Sequence, residues 1–288
     1  MTETPPIFAN RYRFEPVGND WDRGRSGFTY RVYDLEEKRY GVIKRAEVIS
    51  QRLIEGLKNE EEALKALKGL GVPELYASNQ VVYDSKSYKF LVIEYLDEMR
   101  VEKSLETLSV QDRAEIITQL FRLLSQAHQK GIVNGDVDLK HLFWRKDKKQ
   151  LVILDWGNAK LGVDPKKKSE FAYDLARAAE IVFALVTRQG HPPATGSIAL
   201  PDKSGLLVGL ESLPIEFYKL CEWAPRTPDG SQASYTAKEL FEVSKEWLRA
   251  VKSLKPYKPV SPFFRKQLLV FVSLIGIICF IILLFQFC

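Results

Sequence analysis

The residues of this chain best suited to chemistry lie between Asn134 and Gly157. Asp136 and His141 fall in a polar loop, and the short apolar run Leu142–Arg145 leaves that loop as a strand. The basic turn Lys146, Asp147, Lys148, Lys149 reverses the chain, and Leu151–Leu154 reads as the returning strand, with Asp155 at its end and Gly157 just beyond. Such a hairpin brings Asp136, His141 and Asp155 to one end of two adjacent strands. Two carboxylates and an imidazole held together suit phosphoryl transfer with a divalent metal. One carboxylate takes the proton of an attacking hydroxyl, and the other holds the ion that neutralises the phosphates.

The elements that must position these groups follow from periodicity. Tyr12–Val17 alternates like a strand, Gly18–Gly27 is a polar loop, and Phe28–Asp34 is a second strand. Arg39–Ala46 is a third, in which Lys44 shares a face with Val42; a lysine on an apolar face needs an anionic partner. From about residue 50 to 68, Leu53, Leu57, Leu64 and Leu67 form one helical stripe, and Glu60 falls in its gap while Glu61 and Glu62 point elsewhere. Glu60 is thus the expected partner of Lys44. A hairpin over residues 80–95 ends in Glu94, Tyr95 and Leu96. Ser109 then caps a helix reaching about Lys130, with His128 near its end as a structural residue. Ser169 is expected to cap a further helix over about 170–188, carrying Asp174, and residues 190–250 read as loop-rich helices.

In this order the pieces resemble the protein-kinase-like superfamily, over roughly residues 11–250. Asp136 sits at the place of the family's catalytic-loop Asp, and Asp155-Trp156-Gly157 is similar to its Asp-Phe-Gly motif. The resemblance implies an α+β, two-lobed kinase-like fold, with a small antiparallel-sheet N-lobe (11–97) and a mainly helical C-lobe (98–250). It implies ATP with Mg²⁺ or Mn²⁺ as cofactors. Asp136 would be catalytic. Lys44 and Glu60 would position the phosphates, Gly24, Gly27 and Val32 would belong to the glycine-rich nucleotide loop, and the backbone of Glu94 and Leu96 would meet the adenine edge. Asp155 and His141 would hold the metal. The chain departs from the pattern in several places. Thr29 or Tyr30 replaces the last loop glycine, Asn134-Gly135 replaces His-Arg, His141 replaces the metal-binding Asn, and Asp138 stands where a lysine is usual. The Asp-then-His pattern is similar to that of bacterial lipopolysaccharide-core sugar kinases, and the segment between Gly157 and Asp174 is short. The expected function is that of an ATP-dependent Ser/Thr protein kinase. A kinase of sugars or lipid headgroups and a nucleotide-binding pseudokinase scaffold are the alternatives.

Composition fits a globular domain, with 45% hydrophobic and 27% charged residues; the net charge of +5 is mild, its basic residues cluster in loops and near the C-terminus, and no basic, aromatic-interleaved face argues for nucleic acid. Three cysteines, Cys221, Cys279 and Cys288, give neither a disulfide framework nor zinc spacing. Residues 1–10 read as a loose tail without a signal peptide's order of charge and apolarity. Residues 251–266 form a basic, proline-containing linker. Within 267–288, Leu268–Phe285 carries no charge and approaches the ~20 residues needed to span a bilayer. The expectation is a single-pass tail anchor with the domain on the cytoplasmic, positive side.

Overall fold

A computed structural model describes residues 7–15, 28–97, 100–187, 189, 198–224 and 234–253. The first part is a six-stranded antiparallel sheet of order β1-β2-β3-β4-β6-β5, built from β1 (Ile7–Phe8), β2 (Tyr12–Phe14), β3 (Phe28–Asp34), β4 (Arg39–Glu47), β5 (Leu75–Tyr83) and β6 (Lys86–Glu94). Ile7 and Phe8, expected in a loose tail over residues 1–10, instead form strand β1. Phe8 is fully buried, because it enters an aromatic cluster with Tyr12, Phe14, Tyr88 and Phe90 on one face of the sheet. The guanidinium of Arg45 lies 4.9–5.7 Å from the Phe8, Phe14, Tyr30, Tyr83 and Tyr88 rings, which suits a cation among aromatic faces.

The helix α1 (Gln51–Ala66) follows β4, and Leu57 and Leu64 of its apolar stripe are buried, with Leu67 just past its end. Leu57 joins Ala46 and Leu91 on the face opposite the aromatic cluster. The mainly helical part contains α2 (Val101–Ser104), α3 (Val110–Gln129), the hairpin β7 (Leu142–Arg145) and β8 (Gln150–Ile153), α4 (Ala172–Val186), α5 (Ile215–Trp223) and α6 (Ala237–Ser253). Ser109 caps α3 as expected, its hydroxyl accepting from the Asp112 N–H at 3.1 Å. Ser169 does not cap α4. It lies in a 3₁₀ turn, Lys168–Phe171, and α4 begins at Ala172. One large core joins α3, α4, α5 and α6 to the hairpin through residues such as Leu120, Leu142, Trp156, Val182, Phe217 and Trp247. This is a kinase-like α+β fold, an antiparallel-sheet part followed by a mainly helical part.

No helix among the described residues is long and apolar enough to cross a membrane. The linker expected from residue 251 starts later, since α6 continues to Ser253; the rest of it and the expected span, 268–285, lie outside the described residues, as do Gly24 and Gly27 of the expected glycine-rich loop.

Candidate active site

Lys44 enters the site because β4 alternates. Its ammonium lies 2.7 and 2.9 Å from the two carboxylate oxygens of Glu60 and 3.3 Å from Asp155 Oδ1. Glu60 is 1% exposed, so the pair is removed from water where a lone charge would be costly. Burial works against the Lys44 charge, but Glu60 and Asp155 together outweigh it and hold the ammonium's pKa above its ordinary value. Burial likewise pushes Asp155 up, yet Lys44 and His141 outweigh it and keep the carboxyl below the usual carboxylate range. Glu60 also accepts a backbone hydrogen bond from Trp156, so α1 is tied to the segment after β8 as well as to β4.

The hairpin brings the other groups to the same place. The strands pair Leu142 with Ile153 and Arg145 with Gln150, and the Leu154 N–H donates to His141 C=O at 2.9 Å. Ligand atoms of Asp136, His141 and Asp155 lie within 4.8 Å of one another, the one such cluster of potential metal ligands among the described residues. His141 Nδ1 lies 3.0 Å from the Asp136 carbonyl oxygen. That oxygen can only accept, so Nδ1 carries the proton, and in a neutral ring Nε2 offers a lone pair. Nε2 faces Asp155 Oδ2 at 3.8 Å. Both atoms are close enough to serve as ligands of one cation. The 4.8 Å limit on the three ligand atoms is near the roughly 4.2 Å that separates opposite ligands of one magnesium. The donor set fits a divalent metal.

Asp136 is set by its loop. The Asn134 side chain accepts from the Asp136 N–H at 2.9 Å and approaches the Asp155 carbonyl with its amide at 3.5 Å. Asp174, fully buried in the first turn of α4, accepts from the backbone N–H groups of Asn134 and Gly135 at 2.8 and 2.9 Å and contacts His128 Nε2 at 3.0 Å. Both His128 and Asp174 are structural here, holding the loop from below. Asp155 has φ +61°, a left-handed conformation that Asp tolerates better than most residues and that often marks a functional site.

Three residues escape the sequence reading. Asn158 donates from Nδ2 to Asp136 Oδ2 at 3.2 Å. Nothing in local periodicity marks it, although it directly follows Gly157. Arg177 donates to Asp138 at 2.7 Å and to the Val137 carbonyl at 3.2 Å. Its spacing of three from Asp174 on α4 was the available signal. Arg145 pairs with the Glu94 carboxylate, fixing the side chain at the end of β6. Leu96 is buried with Phe143, Val152 and Leu154.

Val32 requires a correction. It pairs with Gly41 on β4, so it shares a face with Ile43 and the aromatic cluster, opposite Lys44, whose cross-strand partner is Thr29. A residue on that face does not line a cleft containing Lys44.

Residues 18–192 match the family described as Protein kinase domain. The chain is similar to a probable casein kinase II subunit alpha homolog of Encephalitozoon cuniculi (strain GB-M1). Identity is 29% over 103 residues, covering 35% of this chain and 32% of that protein. It is also similar to the KEOPS complex subunit Bud32 of Pyrococcus abyssi (strain GE5 / Orsay), 26% identical over 121 residues, 42% of this chain and 52% of that protein. The chain thus spans about a third and about half of the lengths of these two relatives. The geometry of Lys44, Glu60, Asp136 and Asp155 and the match over most of the folded domain agree, and this chain belongs to the protein kinase domain family, a family of kinase-like phosphotransferases.

Proposed function

We propose that this chain is a membrane-anchored, ATP-dependent phosphotransferase that passes the γ-phosphate to a Ser or Thr hydroxyl of a protein, with its domain on the cytoplasmic side. The observation that carries the activity is the continuous ionic set Glu60–Lys44–Asp155, which ends 3.8 Å from His141 and within 4.8 Å of Asp136. Lys44, held by Glu60, positions the ATP phosphates. Asp155 and His141 hold Mg²⁺ or Mn²⁺, which supplies charge neutralisation between the phosphates when bound. The backbone of Glu94 and Leu96 meets the adenine edge, and Gly24 and Gly27 lie in the loop over the phosphates. Asp136 receives the proton of the attacking hydroxyl. Asn158 occupies its Oδ2, which leaves Oδ1 for the acceptor. The anchor rests on the uncharged run Leu268–Phe285 and on Lys255, Lys258, Arg265 and Lys266 before it.

One observation favours a second reading, a small hydroxyl-bearing acceptor such as a sugar or lipid headgroup. Only residues 158–167 separate Gly157 from the 3₁₀ turn that leads into α4, which leaves little chain for a peptide-gripping platform. Asp138, where a lysine is usual, adds nothing to that reading, since its carboxylate is engaged by Arg177 and caps the turn at Lys140.

The test uses the full chain in detergent with labelled ATP and Mg²⁺ or Mn²⁺, beside Asp136→Ala and Asp155→Ala. Label on protein Ser or Thr that requires both aspartates supports the protein-kinase reading. Asp136-dependent ATP hydrolysis without protein label favours the small acceptor. Nucleotide binding without any turnover overturns both in favour of a pseudokinase scaffold.

A further inference from the structure

At the end of the β7–β8 hairpin remote from Asp136 and Asp155, the turn Lys146–Lys149 packs beside the start of α3. Lys149 pairs with Asp112 at 2.5 Å, and Gln119 donates to the Lys149 carbonyl at 2.8 Å. A cleft of about 260 Å³ opens here, lined by Arg122, Lys148, Lys149, Gln119, Gln150 and the Gly69–Gly71 segment after α1, with no carboxylate in its wall. Arg122 and Lys148 are exposed and make no ion pair among the described residues. The end of α6 lies on the same face: Lys252 bonds Glu115 at 2.6 Å, and Glu115 in turn accepts from Gln119 at 3.1 Å. Five cations (Arg122, Lys146, Lys148, Lys149, Lys252) thus stand around three carboxylates (Asp112, Glu115, Asp147).

α6 ends at Ser253, and residues 254–267 separate that point from the apolar run beginning at Leu268. A flexible chain of that length reaches roughly 20 Å, and a proline-extended one roughly 40 Å. A bilayer entered by the run is therefore within reach of the end of α6, and the charges around that end decide which face turns toward it. We propose that this cleft and turn form a docking surface for the phosphorylated headgroups of an anionic bilayer. The proposal rests on the tail-anchor reading. A basic side chain near an anionic membrane contributes about 1 kcal/mol, roughly a fivefold preference. So weak a surface does little in free solution, but a tether raises its effective concentration enough to matter.

Docking has a consequence for the substrate. The strands β7 and β8 are each four residues long, so the turn and the catalytic end lie about 13 Å apart along the hairpin. Lipid under the turn leaves Asp136 and Asp155 at the far end, presented to soluble acceptors instead of to the leaflet that carries the anchor.

The test reconstitutes the full chain, with Cys279→Ser and Cys288→Ser and with Cys221 buried, into vesicles of phosphatidylcholine alone or with about one third phosphatidylglycerol. A neutral fluorophore is attached through Asp147→Cys or, as a distant control, through Val82→Cys in the exposed β5 strand end. Brominated lipid reports proximity, and alkaline carbonate reports anchoring. The expected result is quenching at position 147 in anionic vesicles only, none at position 82, and a roughly 25-fold lower docked-to-undocked ratio in R122Q/K148Q. Carbonate resistance with equal quenching at 147 in both lipids keeps the anchor and overturns the docking surface. Carbonate release with anionic-dependent quenching at 147 overturns the anchor, and with it the tethered docking proposed here. Release without any lipid dependence overturns both.

Discussion

Gly135→Ala tests whether the catalytic loop is built as described. Gly135 has φ +75°, and an added Cβ would lie 2.7 Å from the Asn158 backbone oxygen. Gly69 has nearly the same φ, +77°, but a Cβ there meets nothing within 4 Å. Left-handed backbone costs a non-glycine residue roughly 1–2 kcal/mol, so both alanines share that strain. For a domain of this size, each kcal/mol lowers Tm by about 2–4 °C. Gly69→Ala should therefore lower Tm by about 3–6 °C and leave turnover within about twofold. Gly135→Ala carries an added backbone clash that only a shift of the Asn158 peptide relieves, for a total of roughly 2–4 kcal/mol. That shift moves the amide donating to Asp136, so turnover should fall about 10- to 100-fold while the KM for ATP stays within about twofold. The assay is thermal unfolding of both variants beside labelled-ATP turnover. Equal Tm losses in the two variants, with turnover kept in Gly135→Ala, would refute the placement of Asn158 over the loop.

The other expectations concern the ion pairs and the buried thiol. Glu60→Gln leaves Lys44 with Asp155 alone; it should cost about 2–4 kcal/mol in denaturant unfolding and raise the KM for ATP at least about tenfold. Burial pushes the Glu61 carboxyl up, but Lys65, Lys89 and Ser78 outweigh it and carry its pKa down to about 2 from 4.5. A depressed folded pKa stabilises above the unfolded value and is lost as pH falls, so between about pH 4.5 and 2 the wild type should lose its advantage over Glu61→Gln, worth about 1 kcal/mol at neutral pH, in a Tm-against-pH comparison. Burial pushes the Cys221 thiol up to about 12, so in Cys279→Ser/Cys288→Ser protein iodoacetamide should label Cys221 only after unfolding, as mass spectrometry would record.

What the sequence made legible were features written within a single element. Lys44 and Val42 share a face by strand alternation, and Glu60 occupies the gap between Leu57 and Leu64 by helical spacing. Each position follows from a period of 2.0 or 3.6, and the two side chains meet at 2.7 Å. Features set by pairing between distant elements were not legible. Val32 was placed with the nucleotide loop, but its face depends on its alignment with Gly41, which the local pattern of β3 does not encode. Phe8 sits in a two-residue strand too short to show alternation, and its burial comes from Tyr88 and Phe90, some 80 residues away. Asp138 reads in sequence only as a departure from the usual lysine, because its partner Arg177 lies on another element, 39 residues on. Asn158 has no periodic context at all.

The departures at residues 134, 135 and 138 form one mechanical unit instead of separate losses. A single amide at Asn134 fixes the Asp136 N–H and reaches the Asp155 carbonyl, so the two carboxylates are referenced to one side chain. The absence of a side chain at Gly135 lets the Asn158 peptide close over the loop and place its own amide on Asp136. Asp174 takes the two backbone N–H groups that this tight turn would otherwise leave buried and unpaired, and Arg177, one turn further along α4, holds Val137 and Asp138. Left-handed backbone at Asp155 and a fully buried carboxylate at Asp174 are unfavourable taken singly. They persist because each fixes an atom of the same site. With Asp136 and Asp155 held so tightly, His141 remains the one unusual member of the metal set, and its Nδ1 proton, committed to the Asp136 carbonyl, aims the ring's free nitrogen at the place where a cation would sit.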